Sequence, residues 1–195
     1  MNVAVQRLPA ASTTSSRGYL RFWVTLVVLL ATDQLTKLWV VKTIEPNTYF
    51  DPRPALPVIN GFFYFVNITN HGAAWGMFDK YTPFLALLGL AALLAIFFFR
   101  RQLELHRPLL QYAFGLLCGG IIGNMIDRQW HGQVVDFLDF HLPGYRYPAF
   151  NVADAGITVG VFIYVLFSFK DAFPWRRTAA RTTTSADSVV KQETR

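Results

Sequence analysis

The stretch PLLQYAFGLLCGGIIGNMIDR, Pro108–Arg128, decides the fold class. As far as Ile126 it carries no charge, and its roughly 20 residues suit the ~30 Å hydrocarbon core of a bilayer. Gly115, Gly119 and Gly123 recur at every fourth position, so they share one helix face and let another backbone come close. The same spacing carries Asn124, Asp127 and Arg128 to the end of the run. The segment predicts a closely packed membrane helix that finishes in a polar cluster.

Three other runs have similar length and character: Leu20–Val41, Thr82–Phe99 and Val152–Phe169. Of the 195 residues, 53% are hydrophobic and only 15% charged, too apolar a balance for an ordinary soluble domain. The predicted fold is therefore an α-helical integral membrane protein with four transmembrane helices. The first run contains Asp33 and Lys37, exceeds a signal-peptide core in length and lacks a small-residue cleavage site before Pro46, so it reads as a retained span. Residues 20–171 are expected to form one membrane domain. Residues 1–19 and 172–195, polar and aperiodic, read as disordered tails.

The net charge of +6 is unevenly placed. Arg7, Arg17 and Arg21 precede or open the first span. Arg100, Arg101 and Arg107 join the second span to the third. Lys170, Arg176, Arg177, Arg181, Lys191 and Arg195 follow the fourth. The alternate connections, 43–80 and 127–153, are slightly acidic. Basic connections mark the cytoplasmic side, which puts both termini inside and two loops outside. That distribution argues against nucleic acid as a partner. Both external loops are rich in β-branched and aromatic residues (VINGFFYFVNITN, then VVDFLDFHLPGYRYPAF) and predict a small β platform with a hairpin at Asn60-Gly61.

Ionisable groups beside membrane spans are rare unless paired, hydrated or used. Asp33 and Lys37 lie four residues apart on one helix face and predict a neutralising ion pair. Asp136 sits in VVDF, and Asp154 in FNVAD at the start of the fourth span, where it is also well placed to cap that helix. Topology brings both to the outer face. If they converge, one proton is shared, and the pair can activate water while protonating a carbonyl oxygen. Asn124 and Arg128 stand ready to orient carboxylates or a substrate backbone, or else to form an interfacial salt bridge. Asn70-His71-Gly72-Ala73-Ala74 reads as a loop that admits another chain. His71, His106, His131 and His141 form no zinc motif, and no nucleophilic serine motif occurs. Cys118, the single cysteine, reads as a packed thiol. Neither metal nor cofactor is expected.

Taken together, Asp33–Lys37 (DQLTK), Asn70–Ala74 (NHGAA), Gly119–Arg128 (GGIIGNMIDR), Val134–Phe137 (VVDF) and Phe150–Asp154 (FNVAD) resemble the motif series of the bacterial lipoprotein signal peptidase, or signal peptidase II, family. The resemblance covers residues 20–170. It implies a membrane aspartyl endopeptidase that cuts diacylglyceryl-modified prolipoproteins on the amino side of the lipidated cysteine. The catalytic pair would be Asp136 and Asp154. Asp33, Lys37, Asn70, Gly72, Asn124, Asp127, Arg128 and Asn151 would support them or bind substrate. The expected setting is the bacterial inner membrane, with the site near the periplasmic face, membrane lipids as surroundings and a monomeric enzyme. The external strands would form a cradle, and a short helix or loop before the second span would close over the substrate. Phe62, Phe63, Phe65 and Trp75 would line the substrate or anchor at the interface. Two rivals are a proton relay using Asp33, Asp127, Asp136 and Asp154, and an assembly subunit built on the glycine-rich span.

Overall fold

The computed structural model describes residues 16–46, 55–72 and 82–172. A short 3₁₀ turn, Ser16–Tyr19, leads into α1 (Leu20–Thr43). It is followed by β1 (Leu56–Ile59), β2 (Phe63–Asn70), α2 (Thr82–Phe99), α3 (Pro108–His131), β3 (Val134–Leu142), β4 (Tyr145–Arg146) and α4 (Val152–Ala172). Helix α3 is the hub and packs against α1, α2 and α4. Its glycines explain why. A Cβ on Gly115 would lie 2.8 Å from Phe22 O, and one on Gly119 2.9 Å from Leu26 O, both on α1. One on Gly123 would come 2.7 Å from the Asp33 carboxylate. The expected stripe is thus a contact face, and its partner is α1. The neighbouring Gly120 abuts Ala153 O of α4, and Gly160 of α4 abuts Ala113 O in return.

Helices Leu20–Thr43 and Pro108–His131, and the segment Val152–Phe169 of α4, are long and apolar enough to cross a membrane. The apolar part of α2, Pro83–Phe99, is shorter. Trp23, Leu35, Phe98 and Phe162 are each more than half exposed on these helices. Such apolar surface suits contact with lipid rather than water.

Helix α3 continues past the expected Ile126 to His131. It stops where Gly132 turns left-handed (φ 69°) and its N–H bonds Arg128 O at 3.1 Å. Asp127 and Arg128 are therefore helical, not part of a loop beginning at 127. The strands form one antiparallel sheet in the order β1-β2-β3-β4. The expected hairpin turns at Asn60-Gly61 (Gly61 φ 78°). Asn70 pairs with Val134, and Ile68 with Asp136. Val135 and Phe137 of β3 pack on Val40 of α1 and on Ile44 just past its end, which fixes the sheet to that end of the bundle. Phe63 stacks on Phe140 at 4.5 Å and edges Phe65 at 5.3 Å, while Phe62 also edges Phe140, at 5.6 Å. Phe62 and Phe63 thus pack on Phe140 within the sheet, and Phe65 also edges Trp39 of α1 at 5.5 Å. The segment expected to close over substrate, with Ala73, Ala74 and Trp75, lies outside the described residues.

Candidate active site

Lys37 stands one helical turn after Asp33 on α1 and is almost wholly buried with it. Its Nζ lies 2.8 Å from Asp33 Oδ2, 2.7 Å from Asp127 Oδ2 of α3 and 3.1 Å from Asn124 Oδ1. A single cation held between two carboxylates lowers the cost of burying all three charges. Gln34 tightens the group by donating to Asp33 Oδ2 at 3.1 Å and Asp127 Oδ1 at 3.0 Å. The remaining oxygen, Asp33 Oδ1, accepts from Ala153 N in the first turn of α4 at 2.8 Å. That contact pins the helix end that must carry Asp154, and the positive end of the helix dipole favours the carboxylate there.

Asn151 precedes α4. Its Oδ1 accepts from Asp154 N at 3.0 Å, while Asp154 Oδ2 accepts from Asn151 N at 3.3 Å, a reciprocal capping arrangement. Asp154 thus takes part in the cap as expected, but the cap residue itself is Asn151. The free amide of Asn151 donates to Asp136 Oδ1 at 2.8 Å. The outer oxygens have partners of their own: Asp154 Oδ1 accepts from Asn124 at 2.7 Å, and Asp136 Oδ2 from Asn70 at 3.0 Å. Gly72 N donates to Asn70 Oδ1 at 2.9 Å, and Arg128 returns to Gly72 O at 2.9 Å and to Asn124 O at 3.3 Å. The Arg128 Nε is buried and has no partner among the described residues.

Both aspartates line a cavity of about 570 Å³ whose other walls include Val134, Tyr147, Phe150, Ile157 and Val159. Asp136 is only 2% exposed. Burial, and then the charge of Asp154, push its carboxyl up to about 7. The amides of Asn70 and Asn151 oppose that rise by hydrogen-bonding the anion. Two carboxylates so placed, one of them holding a proton near neutrality, have the arrangement that a paired acid and base requires. No group of three or more His, Cys, Asp or Glu side chains that could hold a metal occurs among the described residues.

The family model for signal peptidase (SPase) II matches residues 25–170. The chain belongs to the signal peptidase II family. Curated relatives named lipoprotein signal peptidase include one from Oleidesulfovibrio alaskensis, 42% identical over 77% of this chain and 97% of the relative. Another, from Desulforapulum autotrophicum, is 37% identical over 77% and 93%. A third, from Bacillus subtilis, is 34% identical over 77% and 94%. Two solved structures, each described as a bacterial membrane enzyme obtained by the in meso method, superpose with TM-scores of 0.70 and 0.67 at 31% identity. Each covers 77% of this chain, and 88% and 93% of the respective structure is matched.

Every residue singled out in this signal peptidase II sequence for the site falls in one connected network: Asp33, Lys37, Asn70, Gly72, Asn124, Asp127, Arg128, Asp136, Asn151 and Asp154. Of the two readings given to the aromatics, the described cavity walls bear only on the lining of the substrate. The cavity is lined by Tyr147 and Phe150, whereas Phe62, Phe63 and Phe65 are not among its described walls. Two features escaped the sequence reading. Gln34 stands inside DQLTK, yet nothing in the motif spacing distinguishes it from a lipid-facing polar residue. Asp139, 1% exposed, is clasped by Arg146 (3.0 and 2.6 Å) and by His141 (2.9 Å). The two-residue spacing of Asp139 and His141 on one strand face was the available signal.

Proposed function

We propose that this chain removes the signal peptide from lipid-modified prolipoproteins, cutting on the amino side of the lipidated cysteine through water activated by Asp136 and Asp154. One observation carries the reading: a buried aspartate from β3 and a partly buried one from α4 meet through a single side chain, Asn151, in a mostly apolar cavity at the sheet end of the bundle. The ionised member of the pair takes a proton from water, and the water oxygen attacks the scissile carbonyl carbon. The protonated member gives its proton to the carbonyl oxygen. The tetrahedral species then collapses with proton transfer to the leaving amine, which is the α-amino group of the lipidated cysteine. Asn124, Asn70 and Asn151 hold the carboxylates. Lys37, paired with Asp33 and Asp127, holds the Asn124 amide, and Asp33 holds the end of α4, while Gly72 and Arg128 border the substrate.

In this reading α2 is the fourth crossing, since 18 residues rise about 27 Å. Residues 20–171 are the peptidase domain, and 1–19 and 172–195 are cytoplasmic tails. The enzyme is a monomer in the bacterial inner membrane, and its dyad faces the periplasm, where water is at hand. A proton relay would place carboxylates along the spans, but Asp33, Asp127 and Asp154 gather at one end. The test is cleavage of a lipidated prolipoprotein by purified wild type, Asp136→Asn and Asp154→Asn. Each substitution is expected to abolish cleavage while the protein still inserts and folds, and an unlipidated substrate is expected to be cut poorly. Turnover by either variant overturns the dyad.

A further inference from the structure

Four residues after Asp154, on the same face of α4, stands Thr158, ~6 Å farther along the helix axis from the sheet. Both line the dyad's cavity. Thr158 is exposed in that wall, and its neighbours there are Ile157 and half-exposed Val159. Asn70, Asn124, Arg128 and Asp136 of the same walls are held in the network around the dyad, but Thr158 is not. Hydroxyls elsewhere on these helices turn back onto the carbonyl four residues earlier: Thr32 onto Val28 O at 2.8 Å, Thr36 onto Thr32 O at 2.7 Å and Ser168 onto Tyr164 O at 2.9 Å. Thr158 makes no such bond and has no hydrogen-bond partner among the described residues. A hydroxyl in apolar surroundings costs free energy until it is paired, so the cavity offers its occupant one open donor. Tyr147 carries another such hydroxyl, but it is 44% exposed on the connection before α4, outside the apolar segment Val152–Phe169, where water serves it.

The surroundings of this donor select its acceptor. Carbonyls of a helical signal segment are already taken by the N–H groups of their own helix. An ester carbonyl has no donor of its own, and the hydrocarbon attached to it suits walls such as Ile157 and Val159. We propose that Thr158 is a specificity-determining residue, donating its hydroxyl to an ester carbonyl of the diacylglyceryl group on the substrate's cysteine. With the scissile carbonyl at the dyad, that ester hangs from the sulfur of the adjoining cysteine. A cysteine side chain and its glyceryl unit span the single helical turn from Asp154 to Thr158. The acyl chains then run on along α4, away from the sheet. The inference rests on the peptidase reading for the identity of the substrate and adds which part of the lipid is recognised: a carbonyl, beyond apolar bulk.

Two substrates separate the carbonyl from the bulk: a prolipoprotein carrying diacylglyceryl-cysteine, and one carrying the dialkyl ether analogue, equally apolar but without carbonyls. The wild type is expected to cut the diester with a KM about tenfold below that of the diether and a similar kcat, the size of one hydrogen bond. Thr158→Val keeps the branched shape and loses the hydroxyl. It is expected to raise KM for the diester about tenfold, with kcat held, and to show no preference between the two substrates. Thr158→Ser is expected to restore the preference. Equal KM values in the wild type, an unmoved KM in Thr158→Val, or a rise that is the same for both substrates each overturns the proposal. Equilibrium binding of both substrates in an Asp154→Asn background reads the same contact without cleavage. A tenfold preference there, lost on adding Thr158→Val, upholds the contact even where the wild type cuts neither substrate. That failure to cut would overturn the peptidase reading alone.

Discussion

Asn151 donates its amide to Asp136 Oδ1 across 2.8 Å, and with the same side chain it caps the helix that carries Asp154. One residue therefore sets the spacing of the two carboxylates. Asn151→Ala removes a helix cap worth about 1 kcal/mol and also a hydrogen bond to buried Asp136. Turnover is expected to drop a hundredfold or so by order of magnitude, with only a small fall in thermal midpoint. Asn151→Asp keeps the cap but sets a third carboxylate against Asp136, so it is expected to be as inactive as the alanine variant. Peptidase assay and thermal unfolding in detergent, read together, separate the two losses.

The pH dependence follows from Asp136. Its carboxyl holds a proton up to about 7 against an ordinary 3.8, because burial and the charge of Asp154 disfavour its anion. Between those values the folded chain binds a proton that the unfolded chain has released. Stability is thus expected to fall as pH rises from about 4 to about 7 and to level off above that. Turnover is expected to decline above about 7 as the acid member of the pair ionises. Asp136→Asn should flatten the stability slope in that window, which thermal unfolding across a pH series measures.

Lys37 neutralises two buried carboxylates at once, so losing it is severe. Lys37→Met leaves Asp33 and Asp127 without a cation and is expected to cost about 3–5 kcal/mol. Replacing the carboxylates as well, in an Asp33→Asn, Asp127→Asn, Lys37→Met triple variant, is expected to recover much of that stability but not the activity. The contrast is read from unfolding midpoints and from cleavage.

Most of the fold was legible in the residues. The glycine spacing of α3 marked a contact face, and the β-branched loops marked the sheet and its Asn60-Gly61 turn. The site motifs were legible because each pairs a polar residue with an apolar surrounding that makes it costly. What spacing could not reveal was direction. Nothing in GGIIGNMIDR says that Gly119 meets α1 while Gly120 meets α4. Nor does FNVAD say that Asn151, rather than Asp154, is the cap, since both types accept the same hydrogen bond. The Asp139–Arg146 clasp depends on a hairpin at Pro143-Gly144 that brings β4 back alongside β3 in the sheet.

That clasp gives its own prediction. Arg146→Leu leaves buried Asp139 with His141 as its remaining described partner and is expected to cost about 1–3 kcal/mol. Added Asp139→Leu should recover part of the loss, and a double-mutant cycle of unfolding free energies measures it.

Gly120 tests the hub. A methyl there meets the backbone oxygen of Ala153, which cannot swing away, so Gly120→Ala is expected to cost about 1–3 kcal/mol. It should also slow cleavage, because Ala153 adjoins Asp154 and donates to Asp33. Gly89→Ala is the control: its methyl meets the pliable side chain of Met125 at 3.0 Å, and the expected cost is under about 1 kcal/mol.

The bare faces of α3 have a consequence for how the enzyme is indexed. With α1 and α4 seated directly on its backbone, the helix has no side-chain cushion to absorb a rotation about its axis. Each residue advances the helix by about 100°, so a one-residue slip would swing Asn124 away from Asp154 and Asp127 away from Lys37 together. The glycines act as a keyway that locks the helix's rotational phase. An alteration deep among the apolar turns, far from any charge, is therefore read out as misaimed amides at the dyad.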